Sequence, residues 1–358
     1  MISEPYFPEH RHQLGVTMIR RARMLPDAAV GDVEVARGTR VGLMDTVVRG
    51  TAPAPYKLVD AERFFGVRAD KVEPLIRVAD GQEIVRGDVL AQRGRRRLHS
   101  PISGRVVTIS RGQIVLQGQA ETLELQAGMN GTVIDVRTGR GVIIEGYGGV
   151  LQGVWGNNRR AIGGVRLEPP DGIESIHGGG LEEDFRGALV VTRRTLRPLS
   201  LEVAAVHGVA GIIAPSIAPS LRTLAAGSPV AVLLIEGFGT MRMGPQVLQF
   251  LESMEGRQGL LDAATPAALE TRRPELIISV PFDPNSRPLL PNIHMTLRPG
   301  AEVRLSRGDA AGSMGVITNL PKTPILMDNG LRVPCAQVEL ATGEKLTAPL
   351  ANLEVTGA

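Results

Sequence analysis

Between Asp32 and Leu167 glycines cut the chain into short runs of alternating polar and apolar residues: VEVARGTRVGL, EPLIRVADGQEIVRGDVLAQ, GRVVTISRGQIVLQ and GTVIDVRTGRGVIIE. A period of two sends successive side chains to opposite faces of an extended chain, a segregation that a helix of 3.6 residues per turn cannot achieve. β-Branched residues fill the runs and glycine supplies the turns, so the stretch is expected to form an all-β barrel or sandwich. Glycine (43) and proline (25) together approach one residue in five of the 358, with no collagen-like period, and read as turn markers. One helix interrupts the strands, LVDAERFFGV, with Asp60 supporting its first turn and Gly66 ending it.

Two of these stretches share a frame. HSPISGRVVTISRGQIVLQG (99–118) and QAGMNGTVIDVRTGRGVIIEG (126–146) each read as small-residue turn, glycine, strand, basic turn, strand, with Gly104-Arg-Val-Val set against Gly131-Thr-Val-Ile. Two copies are too few for a solenoid and predict two related hairpins in one barrel or in neighbouring ones. Upstream, residues 1–30 read as an N-terminal arm with one short helix, Val16 to Leu25, stopped by Pro26. Its Arg20, Arg21 and Arg23 form either a basic patch for nucleic acid or acidic lipid, or a solvated helix face.

Residues 147–185 are irregular, and then the period changes. GALVVT, AGIIAPS and PVAVLLIEG read as buried strands, alternating with the helices LSLEVAAVHGV, SLRTLAAG and GPQVLQFLESMEGR. Strand–helix alternation predicts a small α/β layer with parallel pairing over 185–280. Beyond the proline-rich PFDPNSRPLLPN, residues 295–358 offer strands of four to six residues between tight glycine turns, the pattern of a small five-stranded barrel. The expected class is multidomain α+β: a β-rich region (31–170), a small α/β domain (185–280) and a C-terminal barrel (295–358).

Two family resemblances follow from these residues. RVADGQEIVRGDVLAQ, a basic turn and LHSPISGRVVTI resemble the biotin/lipoyl-type barrel-sandwich hybrid, with Gly81, Ile84, Gly87, Leu90, Pro101, Gly104 and Val106 in the matching places. The resemblance implies a rigid docking module of the kind found in membrane-fusion adaptors and in subunits of redox-driven ion pumps. The carrier's acylated lysine has no counterpart in the connecting RGRRRLHS. The last segment resembles the KOW motif of transcription elongation and ribosomal proteins, on Gly300, Val303-Arg304, Gly308, Gly312 and Gly315-Val316-Ile317. That resemblance implies an SH3-like barrel that contacts RNA, ribosomal proteins or polymerase, although Asp309 and two alanines occupy its central turn.

The chemistry-bearing candidates are few. RGRRR places four arginines in five residues (Arg93, Arg95, Arg96, Arg97) at an expected hairpin tip, able to neutralise phosphates or meet an acidic protein surface. Arg304 and Arg307 of the last barrel join this candidate set. Only four of the 40 basic residues are lysines, which reflects either guanidinium recognition of phosphate and carboxylate or the codon usage of a GC-rich genome. Aromatics amount to 3%, which leaves few platforms for base stacking. VLLIEGFGTMRMGPQVLQFL has the order strand, glycines, helix. Glu236, Gly237, Gly239 and Arg242 therefore form a second candidate, a ligand cleft at the carboxyl end of a strand. HGGG (177–180) lacks the nucleophile elbow that would make it an oxyanion loop, and Ser216 and Ser220 lack the flanking glycines. His10-x-His12 is the one metal-like spacing and lacks a third ligand, so no metal is expected, and His207 reads as a helix C-cap. The single cysteine, Cys335, excludes an internal disulfide and reads as a buried small apolar group.

The expected function is a non-enzymatic binding or assembly protein that contacts RNA, a ribonucleoprotein or an acidic protein through its arginines. The alternative is a small-molecule site in the α/β domain, of an enzyme or of an accessory subunit of a redox or transport complex. No cofactor motif is present, and no apolar run is long enough to span a bilayer. The N-terminus lacks a secretory h-region, so a cytoplasmic location is expected, possible roles including a peripheral subunit of a larger complex.

Overall fold

The computed structural model describes residues 11–12, 14–176, 185–265, 273–281 and 296–356. The chain is a strand-dominated α+β protein organised on an eleven-stranded sheet. In its α/β part Arg160–Leu167, Leu189–Val191, Gly211–Ile217 and Ala231–Phe238 lie side by side in chain order, all parallel. The last three are largely apolar runs because both of their faces are buried, whereas Arg160–Leu167 keeps Arg160 and Arg166 exposed. Val190, Ile212, Ala214, Val232 and Leu234 meet Leu201 and Ala204 of the helix Pro198–Val206 and Ala225 of the helix Arg222–Gly227. The alternate residues, Leu189, Val191, Ile213 and Leu233, meet Val247 and Leu251 of the helix Pro245–Ser253, which covers the opposite face. That last helix carries the chain back past the first parallel strand to Gln258–Asp262, which pairs antiparallel with it. Buried Asn157 stitches the far edge, its amide donating to the carbonyls of Ala225 (3.1 Å) and Val230 (2.8 Å) while its oxygen accepts from the Val232 amide (2.9 Å).

The sheet does not stop at the division expected near 170–185. It runs on through Glu275–Ser279 to Gly141–Gln152 and Gly131–Arg137, so strands from the β-rich region and the α/β region share one hydrogen-bonded layer. The expected helix at Val16–Leu25 is instead part of the strand Leu14–Met24, paired along its whole length with Gly141–Gln152. Thr17, Ile19 and Arg23 point into the protein at period two, and the sheet partner overrides any local helical preference. Its arginines form neither a surface patch nor a solvated helix face. Arg21 makes a bidentate pair with Glu275 (2.7 and 2.6 Å), Arg20 pairs with Glu145 (2.6 Å), and buried Arg23 donates to the Ala127 carbonyl (2.8 Å). The helix expected after Leu58 is present at Ala61–Phe65. The Asp60 side chain accepts from the Arg63 amide, and Gly66 ends the helix in the left-handed region at φ 66°.

The shared frame of the two hairpins extends much further in space than in sequence. VARGTRVGLMDTVV (35–48) and VADGQEIVRGDVLA (78–91) make the same bonds at matching positions. Asp45 and Asp88 accept from the amides of Gly42 and Val85, each at 2.7 Å. Asn130 and Ser103 side chains accept from the amides of Leu43 and Arg86, each at 3.0 Å. Val41 pairs with Gly131 as Ile84 pairs with Gly104. At Gly131 and Gly104 a Cβ would press on the carbonyls of Glu145 and Gln117 across the hairpin. The two units also share a ribbon, Thr46–Ala52 with Glu121–Gln126 in one and Val89–Arg93 with Arg96–His99 in the other. In the second unit the ribbon closes in the turn Gly94-Arg95. In the first its tip opens beyond the pair Ala52↔Glu121, and the whole second unit, residues 55–118, is inserted there. The insert has its own core around Leu90, Val106, Ile114 and Leu116. The Gly118 amide donates to the Pro55 carbonyl (2.8 Å), so its ends meet.

The C-terminal segment forms the meander Glu302–Leu305, Met314–Asn319, Cys335–Leu340, Lys345–Pro349, with Leu353–Thr356 returning beside the first strand. The short strand Arg11–His12 adds to its edge in parallel with Leu353–Thr356, so the ends of the chain share this sheet. Among the described residues no helix is long and apolar enough to cross a membrane.

Candidate functional site

The arginine cluster lies where the hairpin was expected, at the ribbon tip of the inserted unit, and all four side chains are exposed. Register divides them. Arg93 and Arg96 stand opposite each other and turn back onto the helix Ala61–Phe65, donating to the carbonyls of Phe65 (3.3 Å) and Phe64 (2.7 Å). Cations there satisfy carbonyls that a helix C-terminus leaves without partners. The Arg96 guanidinium also lies over the Phe64 ring, 5.2 Å from its centroid. Arg95, in the turn, and Arg97, opposite Gln92, make no ion pair among the described residues and are the two guanidinia presented outward.

Arg304 does not belong to an outer surface. It is 1% exposed and bonds two carboxylates, that of Glu236 on the parallel strand Ala231–Phe238 and that of Glu354, its own cross-strand neighbour (2.9 Å). Arg273 reaches the other oxygen of Glu354 at 3.3 Å, completing a buried set of two guanidinia and two carboxylates. The C-terminal sheet is bonded to the end of the parallel sheet through this set, an outcome that strand alternation by itself does not show. Arg307 remains exposed two residues past the strand end. Glu236 is therefore an internal ion-pair partner and no cleft residue. Burial pushes its carboxyl above the usual range, only partly offset by Arg304. Gly237 and Gly239 adopt φ of 107° and 139°, turning the chain off the strand end, and Arg242 is exposed beyond them.

The turn places Arg242 in a different constellation. Thr240 and Arg242 share a cleft of about 420 Å³ with Arg194, Thr195, Leu196, Arg197, Pro198, Ala218 and Leu221. The cleft sits beyond the carboxyl ends of Leu189–Val191, Gly211–Ile217 and Ala231–Phe238. A hydroxyl network lies next to it, reached through Thr195. The buried Ser216 hydroxyl meets that of Thr195 (2.9 Å), donates to the Met241 carbonyl (2.8 Å) and accepts from the Met241 amide (3.0 Å), while the Gly239 amide donates to Ile217 (2.9 Å). Ser216 thus acts as a fastening, consistent with its lacking a nucleophile's surroundings. No known protein family matches the chain, and no curated protein matches it.

Of the three guanidinia in the cleft, Arg197 is held by Glu174 at 3.0 Å, whereas Arg194 and Arg242 have no ion pair among the described residues. Burial raises the Glu174 carboxyl, but hydrogen bonds from Ser200 and Arg197 outweigh it and hold the group below the usual range. Behind them Glu168 accepts from the Arg193 amide at 2.7 Å, and burial pushes its carboxyl upward. Sequence reasoning missed Arg194, Thr195, Arg197 and Thr240. The available signal was TRRTLRP, a basic loop between a buried strand and a proline-opened helix.

The remaining candidates fall into place. His207 is the C-cap of Pro198–Val206. Cys335 is buried, its sulfur 3.6 Å from that of Met327, and burial pushes its thiol up. His10 and the HGGG segment lie outside the described residues. Among the described residues no group of three or more His, Cys, Asp or Glu is placed to hold a metal ion.

Proposed function

We propose that the chain is a binding and assembly protein that docks an acidic protein surface on the arginine tip of the inserted unit. The observation that carries the reading is where the charge sits. Residues 55–118 hold twelve Lys and Arg against seven Asp and Glu, a net +5, where the whole chain carries +3. That excess is borne by a unit with its own core at the end of a β-ribbon. The resemblance to barrel-sandwich docking modules agrees with such a use.

Numbers favour protein over nucleic acid as the partner. Affinity for a phosphate backbone grows with the number of phosphates neutralised, and the tip offers two free guanidinia. Arginine beside a partly exposed aromatic ring, here Phe64, is the composition of a protein-interface anchor. The KOW-like segment gives RNA less purchase than its sequence implies, because Arg304 faces inward.

The test is fluorescence anisotropy of the full chain with a glutamate-rich peptide and with a duplex RNA, each over a salt series. The peptide is expected to bind, to weaken with salt and to lose binding in Arg95→Ala/Arg97→Ala. Tighter binding of the RNA, with a log–log salt slope steeper than about 5, would overturn the reading in favour of a nucleic-acid partner.

A further inference from the structure

The cleft at the carboxyl ends of the parallel strands is independent of the ribbon tip, and its chemistry is different. Leu196, Pro198, Ala218 and Leu221 give it apolar lining, and Arg194, Arg197 and Arg242 line it from two separate loops. The Ser216 network fixes both loops on one strand end, so the guanidinia are carried by a braced frame. Its volume of about 420 Å³ matches a small-molecule site. Open parallel sheets bind ligands at this end of their strands. The nine-residue helix Pro198–Val206 also begins here, adding the positive end of its dipole.

We infer that this cleft binds a phosphate monoester with an apolar body, its phosphoryl group held by Arg194 and Arg242. Two guanidinia without internal partners match a group that carries a charge of about −1.5 to −2 at neutral pH. A carboxylate would neutralise only one of them. Arg197, already paired with Glu174, orients the rim, and the apolar lining of Leu196, Pro198, Ala218 and Leu221 takes the apolar body.

Calorimetric titration of the full chain with phenyl phosphate tests the assignment, with benzoate, phenol and inorganic phosphate as parallel probes. Phenyl phosphate is expected to bind more tightly than the other three. Arg194→Gln and Arg242→Gln are each expected to weaken it roughly ten- to a hundred-fold, the range for a lost charge-assisted hydrogen bond. Both side chains are exposed, so the variants keep the wild-type circular dichroism, and Arg332→Gln in the C-terminal segment leaves the affinity unchanged. Leu221→Asp should lose phenyl phosphate while retaining inorganic phosphate. Equal affinity in wild type and Arg194→Gln/Arg242→Gln, or no heat with the folded wild type, overturns the site. Benzoate binding as tightly as phenyl phosphate overturns the phosphate assignment.

Discussion

Replacing Arg304 by methionine keeps much of the side chain's volume and removes its charge. In the native protein the Arg304 and Glu236 side chains are 2% and 0% exposed, so at alkaline pH the variant leaves the Glu236 carboxylate dehydrated and without its cation. Removing one partner of a buried pair costs about 3–5 kcal/mol. At about 2–4 °C per kcal/mol for units of this size, the unfolding transition should fall by about 6–20 °C. The pH dependence separates this cause from simple repacking. Burial already raises the Glu236 carboxyl above its unfolded value, and Arg304 lowers it. Without Arg304 the folded value rises further. A carboxyl raised in the folded state favours folding when protonated, and that advantage is lost as pH climbs through its folded value. The variant's deficit should therefore be full at slightly alkaline pH and shrink on acidification toward the unfolded carboxyl range, where Glu236 is neutral. Glu236→Gln in the same background should recover part of the loss at alkaline pH. Thermal unfolding followed by circular dichroism at two pH values measures all of this. A deficit that is the same at both values, or within about 1 °C of zero, refutes the reasoning.

Two further outcomes follow from the geometry. Asn157→Ala strands the Val232 amide and the Val230 carbonyl, while the Ala225 carbonyl keeps the Ser228 amide; an unsatisfied buried group costs about 1–3 kcal/mol, so amide exchange at Val232 should accelerate at least ten-fold. Residues 55–118 expressed alone should fold cooperatively, since their core is internal and Gly118 closes onto Pro55. A disordered amide spectrum from that fragment would contradict this.

How much of this was readable beforehand depended on what each signal reports. Local chemistry was readable: Asp60 and Gly66 bound their helix, Pro245 opens another, and the apolar runs around Ile212 and Leu233 are parallel strands. The strand Leu14–Met24 was misread because its partner Gly141–Gln152 lies more than a hundred residues away and carries half the pattern. Arg304 misled for a related reason. Arginine in an exposed-looking alternation gives no hint that Glu236 of the parallel sheet will meet it beside its cross-strand neighbour Glu354. Glu236 and Arg242 sit six residues apart, yet a glycine turn sends one inward to the C-terminal sheet and the other outward beside Arg194.

A unit inserted into the tip of its own likeness also sets an order of assembly. The two halves of the outer unit cannot pair until Ala52 and Glu121 meet. Closing a flexible loop of about 70 residues costs about 2 kcal/mol more than closing one of about five. Folding of 55–118 removes that difference by bringing Pro55 to Gly118. During synthesis the inner unit is complete before residues 121–146 have been translated, so it acts as a template-free clasp for the ribbon that will carry it. Damage to the inner unit should accordingly delay the outer one, while damage to the outer should leave the inner untouched.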